Sequence, residues 1–169
     1  MTDEQIGLTP RLQRILTTEE AVYGLILVSG MIVLSGTTTG TSVDALITVI
    51  VTVLIFFAAH VYADTLARLA ASAGQSGIRA SLLAAIKQSS GLLAASVIPI
   101  AILTLGTTDV VEDRTAIWLA LIANTVLLGA LGWIAVARWS SHWTARVLGA
   151  LITASFGGAL ILLKVLVPH

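Results

Sequence analysis

Five apolar runs make up most of this 169-residue chain, and each is long enough to cross a lipid bilayer. A spanning helix needs roughly 20 residues to cross about 30 Å of hydrocarbon, because in lipid every backbone N–H and C=O must be satisfied within the segment. The runs extend from about Glu19 to Gly36, from Ser42 to about Leu69, from about Ser81 to Leu105, from Thr115 to Ala137 and from about Ala145 to Val167. The second is longer than a bilayer requires, and its polar tail, Asp64 to Arg68, is expected to continue as helix into the aqueous phase. The links Gly36–Thr41, Gly74–Gly77, Gly106–Arg114 and Trp139–Thr144 are short, which favours antiparallel neighbours in one bundle. The expected fold is all-α: a polytopic membrane bundle of five transmembrane helices, forming a single domain over residues 19–169.

Composition agrees with this. Charged residues make up 11% of the chain and hydrophobic ones 57%, with a mean hydropathy of +0.99, whereas soluble domains carry roughly 25% charged residues. A large aqueous domain is therefore excluded. Net charge is zero, so no basic face for nucleic acid is expected, and the lipid bilayer is the main partner. Cysteine is absent, which rules out disulfides and thiolate metal sites and leaves oxygen and imidazole as metal ligands.

Basic residues are retained on the cytoplasmic side during insertion. Arg11 and Arg14 precede the first run, Arg68 and Arg79 lie between the second and third, and Arg138 and Arg146 flank the fourth link, all on one side. The other side has the threonine loop, the acidic stretch Asp109 to Asp113 with Arg114, and Lys164, which can snorkel outward. The expected orientation is N-terminus in, C-terminus out, with Trp139, His142 and Trp143 as an inner belt and Trp118 marking the outer one. The first run follows a polar stretch without a small-residue cleavage pattern, so it is expected to stay as an anchor. Residues 1–18 form a cytoplasmic tail, in which Thr9-Pro10 can start a short amphipathic helix on the inner membrane surface, with Leu12, Ile15 and Leu16 on one side.

A few ionisable residues break the apolar pattern, and charge inside a membrane segment usually has a role. His60 and Asp64, four apart in the second run, share a helical face about 6 Å from each other, where the carboxylate can orient or charge the imidazole. Glu20 and Tyr23 open the first run and Lys87 lies in the inner part of the third beside Gln88, Ser89 and Ser90, so all can meet at one depth in the inner leaflet. Glu20, His60 and Asp64 together would suit a divalent transition metal, the one cofactor or cargo the ligands suggest. Glu20, Tyr23, His60, Asp64 and Lys87 would equally suit a proton relay. The structural alternatives are that Thr17 to Glu20 is a capping box, and that Asp64 neutralises Lys87 or Arg68 in a satisfied network.

Other features point to packing. Gly149, Thr153 and Gly157 recur every four residues, as do Ala150, Ala154 and Gly158, giving the fifth helix two small faces. Gly129 and Gly132 do the same in the fourth. The glycine- and serine-rich first helix can pack centrally or against a second subunit. Pro99 should bend the third helix and free the carbonyl near Ala95, and Asn124 is expected to hydrogen-bond between helices.

The opening Glu20-Ala-Val-Tyr-Gly-Leu25, the segment Ala58-Ala-His-Val-Tyr-Ala-Asp64, a proline-bearing third helix, Leu128-Gly-Ala-Leu-Gly132 and Gly157-Gly-Ala159 together resemble the vacuolar iron transporter family. The resemblance covers most of the chain and implies five helices, N-terminus in and C-terminus out, dimeric around helix one. Two departures bear on function. The family's aspartate-glycine pair in helix one is replaced by Leu27 and Val28, and Ala71 to Ala80 is short and lacks the glutamate-rich helical insert. The family's own iron ligands are therefore not carried over. The chain also resembles small uncharacterised membrane proteins of high-GC bacteria, which implies a multi-pass protein of the bacterial inner membrane.

The expected function is a small transporter or channel for a cation, such as a divalent metal, or for protons, working as a homo-oligomer, with a dimer favoured. The alternative is a noncatalytic membrane scaffold or accessory subunit whose polar cluster fixes helix register. No HExxH, paired aspartates or serine–histidine arrangement lies at a suitable depth, so the chain is not expected to be an enzyme.

Overall fold

The computed structural model describes residues 19–35, 41–72, 75, 77–108 and 110–166. The amphipathic helix expected in 1–18, the Thr17 end of the capping box and most of the threonine loop lie outside these residues. The described residues form five α-helices: α1 (Glu19–Ser35), α2 (Ser42–Ala71), α3 (Ile78–Thr107), α4 (Asp113–Ala137) and α5 (Trp143–Leu166). Four of them, α2 to α5, are long and apolar enough to cross a membrane. α1 has 17 residues, about 26 Å of helix at 1.5 Å per residue, just short of the roughly 30 Å hydrocarbon layer.

The helices run past the apolar stretches at their polar ends, since the backbone ladder does not stop where the lipid does. α2 continues through Arg68 to Ala71, and α3 starts at Ile78, before Arg79. At the start of α2, Thr41 Oγ1 accepts from the Asp44 N–H at 3.3 Å and donates to Asp44 Oδ2 at 2.6 Å. This reciprocal cap satisfies a donor that the first helical turn leaves free.

α1 is the central helix. It touches all four others, and nine of its 17 residues are buried, so within the chain it packs centrally. One cluster packs Val28, Ile32 and Val33 of α1 against Val49 and Val53 of α2, Leu92 and Leu103 of α3, and Ile117 and Leu121 of α4. A second joins Ala21 and Leu25 to Ala95, Leu128 and Leu131. α5 adds only the partly buried Leu160 and Ile161 at the edge of the first cluster, with Gly157 its one buried residue.

α4 and α5 form the most extensive pair. Gly132 faces Gly149 and Thr153, Gly129 faces Ala150 and Ala154, and Gly157 faces Thr125, an order that makes the two helices antiparallel. The Gly149–Thr153–Gly157 face is thus the one that meets a neighbour, whereas Gly158 looks onto open space. Near the turn, Trp133 and Trp143 stack edge to face, centroids 4.7 Å apart at 79°.

At one end of the bundle the Ser42 N–H donates to Asp113 Oδ1 at 3.0 Å, tying the start of α2 to the start of α4, while Gly106 of α3 lies against Ser42 and Ala116. Arg68, Arg79, Arg138 and Arg146 collect at the opposite end with Glu20. Asp113→Ala is expected to lower stability by about 1 kcal/mol, the usual effect of losing a helix-end acceptor. Asp113→Asn keeps the acceptor and should stay close to the parent; thermal unfolding of the purified protein in detergent compares the two.

Candidate functional site

The polar side chains at the basic end are brought together by α1 and α3 running in parallel. Glu20 lies beside Gln88, and one turn further along both helices Gly24 lies against Leu92, where an added Cβ would stand 3.1 Å from the Leu92 carbonyl oxygen. That close approach seats the first turn of α1 on α3 and buries Glu20, which is 5% exposed. α2 arrives antiparallel to α3 and delivers Asp64 and Arg68 to the same level.

The result is a chain of hydrogen bonds across three helices. Arg68 Nε donates to Asp64 Oδ2 at 2.9 Å, one helical turn apart. Arg68 Nη2 donates to Gln88 Oε1. Gln88 Nε2 in turn donates to Glu20 Oε1 at 3.1 Å. Gln88 works as a relay of polarity: its amide accepts from the cation with one end and donates to the buried carboxylate with the other, so one neutral side chain couples two groups of opposite charge. Within this group, Arg68–Asp64 is the ion pair.

His60 is not part of that chain. Its Nδ1 lies 3.2 Å from the Phe56 carbonyl oxygen, and its ring packs on Phe56 with centroids 4.7 Å apart. A carbonyl can only accept, so Nδ1 is the donor in this contact. Asp64, expected to orient His60 from one turn below, reaches the other way to Arg68. The reason is charge: at the same four-residue spacing a guanidinium offers Asp64 a stronger, charge-assisted bond than an imidazole already engaged with its own helix.

Tyr23 is 57% exposed and Lys87 is exposed as well, so both stand on the outside of the bundle beside the hydrogen-bonded chain. Among the described residues no three or more His, Cys, Asp and Glu side chains are grouped in a way that could hold a metal ion. Glu20 and Asp64 are linked through Arg68 and Gln88, and His60 turns back on Phe56.

Two participants were less visible in the sequence than the acids. Arg68 follows Asp64 by four residues, the spacing of a helical ion pair. Gln88 carries no formal charge and gives no signal until α3 is docked.

A second polar contact lies deeper. Asn124 Nδ2 of α4 donates to Ser29 Oγ of α1 at 2.9 Å, and both residues are buried. This is the interhelical bond expected of Asn124. Apolar layers that include Leu25 and Leu128 lie between it and Glu20.

Comparisons with protein-family models, with curated proteins and with solved structures give no match to this chain.

Proposed function

We propose that this chain is a noncatalytic membrane scaffold or accessory subunit, embedded as five spans with its N-terminus and arginine-rich end in the cytoplasm. The observation that carries this reading is that the two acids at this level are engaged in a closed hydrogen-bonded chain: Asp64 with Arg68, Arg68 with the neutral Gln88, and Gln88 with the buried Glu20. The two links through Gln88 cross between helices that the lipid alone would leave free to slide, so they fix the register of α1, α2 and α3. The bundle's second polar contact, Ser29 with Asn124, does the same for α1 and α4.

The vacuolar iron transporter resemblance, a bacterial inner-membrane location and self-association as a dimer belong to the same proposal, and chemical cross-linking in native membranes tests the last. A second reading, passage of protons or a cation, draws on the burial of Glu20 at 5% exposure behind a polar chain that leads out to Asp64.

One experiment separates the two readings. The protein and its Glu20→Gln, His60→Ala and Asp64→Asn variants are reconstituted in liposomes, and proton and Mn²⁺ flux are measured beside thermal unfolding. The scaffold reading expects flux equal to that of empty liposomes throughout. It also expects Glu20→Gln, which keeps an acceptor for the Gln88 amide, to stay close to the parent in stability, and Glu20→Ala, which removes that acceptor, to lose about 1–3 kcal/mol. Flux above empty liposomes that disappears in the variants would establish transport instead.

A further inference from the structure

The centre of the bundle holds one buried side-chain acceptor without a hydrogen bond among the described residues, and beside it a backbone acceptor that its own helix cannot serve. The first is Asn124 Oδ1. Asn124 is fully buried, one N–H of its Nδ2 is used on Ser29, and Oδ1 accepts no hydrogen bond among the described residues. The second is the Ala95 carbonyl. Pro99 lies inside α3, fully buried, and having no N–H it leaves the carbonyl four residues earlier without its helical donor.

The direction of that carbonyl follows from the packing. Ala95 shares a layer with Leu25 of α1 and Leu128 of α4. Helix carbonyls point toward the C-terminus, and α3 runs parallel to α1, so the Ala95 oxygen points toward the next layer along. That layer contains Ser29, four residues after Leu25, and Asn124, four residues before Leu128 on the antiparallel α4. Ser96 cannot serve either acceptor, because its hydroxyl donates to the Leu93 carbonyl at 2.8 Å.

Two buried acceptors facing one layer call for a small ligand with two donors. The flanking side chains, Leu25, Val28, Leu121 and Leu128, are apolar and buried and offer no counter-charge, which selects a neutral molecule over a cation. We infer that the bundle binds one structural water between Asn124 Oδ1 and the Ala95 carbonyl, bridging α4 to α3 beside the direct Asn124–Ser29 bond to α1. Buried waters characteristically satisfy such groups, with two to four polar partners. The water closes the polar set at the one level where all three helices can be tied together.

X-ray hydroxyl-radical footprinting of the protein in lipid nanodiscs tests this, because bound water generates radicals beside side chains that bulk solvent does not reach. Leu25 and Leu128 are expected to be oxidised while Leu103, equally buried, stays protected. The labelling should be lost in Asn124→Leu, which removes one acceptor, and in Pro99→Ala, which gives the Ala95 carbonyl its helical N–H. If Asn124→Leu does not fold, Pro99→Ala decides. Protection of Leu25 and Leu128 at the level of Leu103 in the parent protein would overturn the inference, as a direct bond from the Asn124 amide to the Ala95 carbonyl would produce. Labelling that persists in the variants would overturn it too.

Discussion

Gly132→Val is expected to open the α4–α5 pair and lower the unfolding midpoint by roughly 6–12 °C, from an overpacking cost of about 3 kcal/mol at about 2–4 °C per kcal/mol for a chain of this size. Even the first carbon of the new side chain would collide with the Gly149 carbonyl oxygen and Thr153 Oγ1, and it would stand 3.0 Å from the Gly149 carbonyl carbon. Thr153 can rotate away, but the Gly149 backbone cannot, because it belongs to a helix held along the same line at Gly157 and Ala154. The helices must therefore separate. Gly158→Ala makes the control: its Cβ meets nothing within 4 Å, and alanine favours helix over glycine by about 1 kcal/mol, so that variant should match or slightly exceed the parent. Tryptophan fluorescence during thermal unfolding in detergent reads both, since Trp133 and Trp143 stack across this same hairpin.

Asn124→Asp is expected to be the most damaging single-atom-scale change in the bundle. The side chain is fully buried at mid-helix with Ser29 as its hydrogen-bonding neighbour, and an aspartate at the centre of a membrane helix costs about 2.5–3.5 kcal/mol on insertion scales. The amount of folded protein in the membrane fraction should drop sharply at neutral pH. Lowering the pH protonates the introduced carboxyl and restores a neutral group of the amide's shape, so stability should recover toward the parent as pH falls. Asn124→Leu should cost less, about 1 kcal/mol, because the buried Ser29 hydroxyl loses its partner but can bond back to a carbonyl of its own helix. Similar losses in Asn124→Asp and Asn124→Leu would mean that shape, and not charge, limits the site.

The helices were legible because one physical requirement writes them plainly: a chain in lipid must keep its backbone bonded internally. The second run was expected to begin at Ser42 and α2 does begin there; the fourth was expected to end at Ala137 and α4 ends there. The errors fall at the polar ends, such as Ile78 for the expected start near Ser81, where hydropathy no longer reports on helix formation. Partner choice was harder to read. Asp64 has His60 four residues before it and Arg68 four after, and spacing alone does not rank them. Burial of α1 among four neighbours depended on small residues such as Gly24, whose use as a contact with Leu92 is a property of the assembled helices. Gln88 and Ser29 illustrate the limit: neither is charged, and each becomes informative only once its partner on another helix is known.

Every buried residue in both apolar clusters comes from the first four helices. Proteins are synthesised from the N-terminus onward, so every buried side chain of those clusters has been added to the chain before Trp143 is. The last helix therefore arrives as a latch on a surface already specified, and the order of translation matches the order in which the interior needs its parts.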